Sequence, residues 1–129
     1  MSSKQPSHDS ALEHATGRSI YVDDRSVQPN ELIVGLLTSS VAHGRITKLE
    51  VGTASELPGV AGIYTHHDIS QNQWGTIFQD QPLLAEHDVR YYGQVIAVIA
   101  AESQLAIENA KREIEIEIEE LDPVFDIKE

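Results

Sequence analysis

Alternation of apolar and polar positions is clearest at residues 113–121, EIEIEIEEL. Successive side chains of an extended chain point to opposite faces. Ile114, Ile116 and Ile118 then share one face, and Glu113, Glu115, Glu117 and Glu119 share the other. This is the pattern of a half-buried antiparallel strand with one wet side. Such a row of carboxylates repels itself, stays hydrated and discourages edge-to-edge pairing with another chain. The unbroken apolar run in VRYYGQVIAVIAA (89–101) predicts a strand buried on both faces. Branched residues mark ELIVGLLTSS (31–40) and VAGIYT (60–65) as further strands, and RITKLEV (45–51) alternates imperfectly around Ile46 and Leu49.

Helical spacing is found twice. TASELPG (53–59) reads as a single turn stopped by Pro58 and Gly59. Ser103 is placed to cap a helix running to about Arg112. Its apolar stripe is Ala106, Ala110 and Ile114, flanked by Leu105 and Ile107. At Glu113 the period changes from 3.6 to 2 with no glycine between, which requires an abrupt bend. Residues 1 to about 16 carry no clear period and read as a mobile lead-in. Ile20 to Val22 is a short strand-like piece, followed by turn chemistry at Asp23, Asp24 and Pro29. SQNQWGTIFQDQP (70–82) reads as a polar loop carrying the only tryptophan. Strands interleaved with two helices predict an α+β fold with a mixed β-sheet, as a single compact domain. The lead-in is assigned to 1–13 and the folded domain to 14–129; no repeat or internal linker interrupts it.

Composition narrows the function classes. The chain has 129 residues, of which 40% are hydrophobic, enough for one ordinary core. Nine basic residues against 21 acidic ones give a formal charge of −12. That field opposes phosphate backbones and anionic membrane surfaces, so no nucleic-acid or membrane partner is expected. With no cysteine, the chain can hold no disulfide, thiolate zinc site or cysteine-ligated iron–sulfur cluster. VIAVIAA (95–101) is too short to span a bilayer, and the N-terminus lacks the apolar centre of a secretory signal. A cytoplasmic location is expected.

Candidate chemistry is sparse. His66-His67-Asp68 is the most metal-like cluster, but adjacent side chains diverge and no other histidine stands at helical ligand spacing. A solvent-exposed helical turn is the expected state. The glutamates of 113–119 form one flat row, whereas metal or acid/base work needs carboxylates converging from different elements. GVAG (59–62) lacks the pattern of a phosphate loop, there is no nucleophile elbow, and the scattered serines and histidines suggest no triad. Gly93-Gln94 precedes the apolar strand, where glycine marks a bulge or a close backbone approach. With the loop around Trp74, it is a candidate contact region. No catalytic, cofactor-binding or metal-ligating residue is assigned.

The order of motifs adds a resemblance. HATGRSIYVDD (14–24), LTSSVAHGRI (37–46), LPGVAGIYTHHDI (57–69), DQPLLAEHDVRYYGQVIAVIAAES (80–103) and EIEIEELDPVFDI (115–127) follow one another in sequence. Together they resemble the N-terminal α/β-hammerhead domain of the molybdenum-binding subunit of the xanthine dehydrogenase and aldehyde oxidase family, over roughly residues 8–129. The resemblance implies a hammerhead fold and a scaffolding role within a molybdenum hydroxylase. Its reaction would be oxidative hydroxylation of a purine, a related heterocycle or an aldehyde, with xanthine dehydrogenase the foremost expectation. The implied cofactors of the parent are molybdopterin, iron–sulfur clusters and FAD, with NAD as acceptor, and none is bound by this piece. The implied partners are the downstream molybdenum-binding domains and the iron–sulfur and flavin subunits or domains. The family's catalytic glutamate lies downstream, so no glutamate here inherits that role, and the piece alone is expected to be inactive. The alternative is a free-standing acidic interaction module of the same fold.

Overall fold

The computed structural model describes residues 8–26 and 28–126. In chain order its elements are α1 (Ala11–Thr16), β1 (Ile33–Thr38), β2 (Gly44–Glu50), α2 (Gly52–Ser55), β3 (Val60–Tyr64), β4 (Gln73–Trp74), β5 (Gln81–Pro82), β6 (Asp88–Val89), β7 (Val95–Ala101), α3 (Gln104–Glu113) and β8 (Glu115–Glu120). Two 3₁₀ turns, Val22–Asp24 and His66–Asp68, complete the set. The apolar strand β7 lies between β1 and β3, and β2 lies between β6 and β8. β4 and β5 make a two-stranded ribbon. The α+β class stands, and the expected mixed sheet takes the form of three separate sheets whose pairings are all antiparallel.

Alternation along β7 splits the core in two. Ala97, Ile99 and Ala101 face α3 and pack with Ala106, Ile107, Ala110 and Ile114. Ile96 points the other way and is sealed by Ala85 and Val89, with Ile116 and Ile118 alongside. Small residues bring α3 close to the sheet. Gly35 of β1 lies directly under Ile107, and a methyl group there would drive into the Ile107 Cγ2 atom.

The helix-to-strand switch at residue 113 is made by one residue. Ser103 Oγ accepts the Ala106 N–H at 3.2 Å and opens α3. Ile114 closes the helix by donating its N–H to the Ala110 carbonyl at 3.0 Å, while its own backbone is extended (φ −68°, ψ 120°). Ile114 is 6% exposed, so core burial of that side chain fixes the bend without a glycine. Glu113 ends the helix, and the acidic row begins at Glu115.

Several expectations are corrected. Within the stretch read as lacking a period, residues 11–16 form α1, closed by Gly17 in the left-handed region (φ 67°) with its N–H on the His14 carbonyl. It buries no residue, so no apolar stripe announces it. It adds a third helix to the two expected, α2 and α3; residues 1–7 of the lead-in lie outside the described residues. Ile20 to Val22 is not a strand. The Asp24 carboxylate accepts the Tyr21 N–H at 2.9 Å and folds the segment into a 3₁₀ turn, leaving Ile20 exposed. Leu105 does not flank the buried stripe of α3 but faces solvent. Residues 70–82 are not wholly loop, since they supply both strands of the β4–β5 ribbon.

Burial of β7 on both faces is also only partly met. Ala97, Ile99 and Ala101 are fully buried, whereas Val98 and Ala100 on the opposite face are half-buried.

Candidate functional site

The histidine pair sits in a tightly capped turn. Thr65 Oγ1 accepts the His67 N–H at 3.3 Å, and the Asp68 carboxylate accepts the Thr65 N–H at 2.7 Å. That backbone N–H, more than any other contact, holds the Asp68 carboxyl below its usual range. The rings do not diverge as expected: their centroids are 3.9 Å apart, with planes tilted by 41°. In so short a turn, side-chain rotation brings adjacent rings together where a regular strand would separate them. His66 is half-buried, its Nδ1 has no hydrogen-bond partner among the described residues, and burial leads the causes that push its pKa down. His87 approaches to 6.3 Å between centroids and carries Glu86 at 3.4 Å on its Nε2. Even so, no group of three or more metal-ligating side chains is arranged for an ion among the described residues.

A second cluster was not legible in the sequence. His14 Nδ1 meets Ser19 Oγ at 2.9 Å and the Tyr21 hydroxyl at 3.1 Å. Both hydroxyls converge on one nitrogen, whereas a catalytic triad sets serine and carboxylate on opposite nitrogens. The arrangement ties α1 to the following turn. Its spacings, five and seven residues, match no regular element, so sequence gives no signal for it.

Gly93 and Gln94 are structural. Gly93 adopts φ 83° with open space around it, so the glycine serves a left-handed turn and not a close approach. Its N–H donates to the Ser39 carbonyl, and the buried Gln94 side chain accepts the Arg90 N–H at 2.7 Å. A side chain 3% exposed cannot serve as a contact for a partner. The aromatic residues beside it are open: Arg90, Tyr91 and Tyr92 line a hollow of about 560 Å³ with His43 and Phe125. His43 Nδ1 donates to the Asp122 carbonyl at 2.9 Å and so pins one wall. The loop around Trp74 presents Trp74, Ile77 and Phe78 to solvent.

The acidic row faces water, as its alternation predicts, but it is not left to repel itself. Arg45 stands opposite Glu119 and Lys48 opposite Glu117 across the β2–β8 pairing. Lys48 Nζ forms an ion pair with Glu115 and lies 3.7 Å from Glu50. The Lys48 pair lowers the Glu115 pKa and raises that of Lys48. Exposed pairs of this kind are screened by water and contribute little to stability.

Comparison with known proteins supplies what these clusters do not. Residues 16–122 match the family described as aldehyde oxidase and xanthine dehydrogenase, a/b hammerhead domain. A xanthine dehydrogenase of Drosophila pseudoobscura pseudoobscura is 37% identical over 92% of this chain. An aldehyde oxidase 2 of Macaca fascicularis is 40% identical over 95% of it. The chain spans 9% of the length of each. Among solved structures, quinoline 2-oxidoreductase from Pseudomonas putida 86 superposes with a TM-score of 0.78 at 34% identity, covering 93% of this chain and 16% of that one. Reconstituted CO dehydrogenase from Oligotropha carboxidovorans gives 0.79 at 27%, covering 94% and 15%. No helix among the described residues is long and apolar enough to cross a membrane.

Proposed function

This chain belongs to the family of aldehyde oxidase and xanthine dehydrogenase a/b hammerhead domains, and we propose on that basis that it is the structural domain of a molybdenum-containing hydroxylase. The observation that carries the reading is one of extent. The match fills most of this chain, yet the chain spans only 9% of the curated relatives it matches. A domain of that share, with no convergent catalytic cluster among its described residues, is suited to support chemistry performed in its neighbours. In this proposal the domain runs over 14–129, after a lead-in at 1–13. It packs against the molybdenum-binding domains of the same subunit, beside iron–sulfur and flavin domains or subunits, in the cytoplasm.

The parent reaction we propose is of the xanthine dehydrogenase type, hydroxylating a purine or related heterocycle. An aldehyde is the neighbouring substrate class, supported by the aldehyde oxidase match at 40% identity. Molybdopterin, iron–sulfur clusters and FAD would supply the redox chemistry. The residues present do not fit them. The chain has no cysteine for a cluster, and the hollow beside Arg90 has aromatic walls and only that one guanidinium to meet a phosphate. We therefore place these groups in the other domains.

Domain exchange tests the proposal. This chain replaces the corresponding segment of the Pseudomonas putida quinoline 2-oxidoreductase chain, and the purified exchange protein is assayed on that enzyme's own substrate. Assembled, active protein is the expected outcome. A folded domain that never yields assembled enzyme would overturn the scaffolding role.

A further inference from the structure

Two three-stranded sheets in this domain each present a face to solvent, the β1–β7–β3 one only beyond Ile96, which Ala85 and Val89 cover, and the two open faces differ in chemistry. On β2 and β8 the outward positions are Glu115, Glu117, Glu119, Arg45 and Lys48. In β1, β3 and β7 no residue is charged at all. The outward positions there are Val34, Leu36, Tyr64, Val98 and Ala100. Leu36 and Tyr64 stand on either side of Val98, and Val34 stands beside Ala100. Val34 is 62% exposed, Leu36 46% and Tyr64 49%. The Tyr64 ring lies over Gly62, its hydroxyl 3.0 Å from where a methyl group would stand, so the glycine leaves room for the ring on the sheet surface. One chain thus carries its own control. Where a sheet face stays in water it is lined with charges, and this one is not.

We propose that the open face of the β1–β7–β3 sheet is a docking surface for an uncharged apolar surface of the polypeptide that adjoins this domain in the parent subunit. The inference rests on the scaffolding role above and names the face that performs it. Contiguous exposed apolar residues on a soluble domain mark an interaction site. Charge selects the occupant. A basic partner would find no carboxylate on this face, and two copies of the chain would each bring a formal charge of −12 to the contact. Extent points the same way, because 84% to 85% of each solved relative's chain lies outside the region matched (100 minus 16, and 100 minus 15). The Tyr64 hydroxyl gives the face one polar handle, the usual part of a tyrosine at an interface.

The test uses the exchange protein described above, with Val34→Lys/Leu36→Lys on the proposed face and Glu119→Lys on the acidic face. The unfolding midpoint of the free chain is measured for each, and Val34→Glu alone is the reserve variant should the double one unfold. The yield of assembled enzyme should fall by about tenfold or more for the Val34/Leu36 variant, since an unpaired ammonium would be buried at an apolar contact. The Glu119 variant should assemble as the parent does. Normal assembly of a folded Val34/Leu36 or Val34 variant overturns the docking face and leaves the scaffolding role standing. Failure of the unsubstituted exchange protein overturns both. Sedimentation equilibrium of the free chain addresses the occupant: a monomer is expected, and a dimer dispersed by the same substitutions would put a second copy on the face instead.

Discussion

Ile107 fills the space that Gly35 leaves, and the pair shows how finely α3 is seated. Ile107 is fully buried in the cluster formed with Ile99 and Ala110. Ile107→Ala should cost about 2–5 kcal/mol through lost burial and the cavity left behind. The readout is a lower urea midpoint at unchanged slope. Gly35→Ala attacks the same contact from the other side, and overpacking should cost about 1–3 kcal/mol. Because the two residues touch, Gly35→Ala combined with Ile107→Ala should lose less than the sum of the single losses. On the wet face the contrast is large: Glu117→Gln should stay within about ±0.5 kcal/mol. His66 gives a pH signature. Burial holds its pKa below the ordinary 6.5, so the unfolded chain takes up its proton first as pH falls. Its contribution to stability is complete above 6.5 and is lost as pH falls through the lowered folded value. Between about pH 7.5 and about pH 5.5 the unfolding midpoint should drop more for the parent than for His66→Gln. An equal drop in both would remove His66 as the cause.

At the scale of elements, local period made some parts legible and not others. β8 and α3 were legible because one alternates every second residue and the other carries a cap and a stripe. The cap can be weighed directly: Ser103→Ala should cost about 1 kcal/mol, measured by denaturant midpoint. The short helix α1 and the β4–β5 ribbon were not legible. Neither has enough residues to show a period, and α1 buries none. The apolar run of β7 implies cover on both faces, because such a run reports what a strand requires and not which chain meets the requirement. Val98 and Ala100 are half-open here for that reason. The histidine pair differs for the opposite reason: divergence of adjacent side chains holds for regular elements, and His66 and His67 stand in a 3₁₀ turn. Of the contact candidates, the Trp74 loop is open to solvent, while Gln94 is occupied inside its own domain. The edge position of β8 also yields a prediction. Replacing Glu117 and Glu119 by valine removes the charges that guard an exposed edge. That variant should self-associate in sedimentation velocity under conditions where the parent stays monomeric.

For the whole molecule the question is whether anything in the free domain could turn over a substrate, and each candidate lacks a necessary part. Ser19 and Tyr21 share one nitrogen of His14, so no base is oriented toward a nucleophile. His66 and His67 stack, but among the described residues no third ligand joins them in a group fit for an ion. The glutamates of β8 point outward from a single strand, with Lys48 bound to Glu115, and cannot converge on a reacting centre. With no cysteine, the chain cannot pass electrons through a ligated cluster. Purified chain should therefore show no turnover of xanthine or of an aldehyde with an artificial electron acceptor, with or without added molybdopterin. The control is the domain-exchanged enzyme, which carries the same residues beside the domains we assign to the cofactors. Activity in the exchange protein together with silence in the free chain would place the chemistry wholly outside this domain. Turnover by the free chain, lost on His66→Gln or His14→Gln, would instead mean that one of the clusters set aside here is a working site.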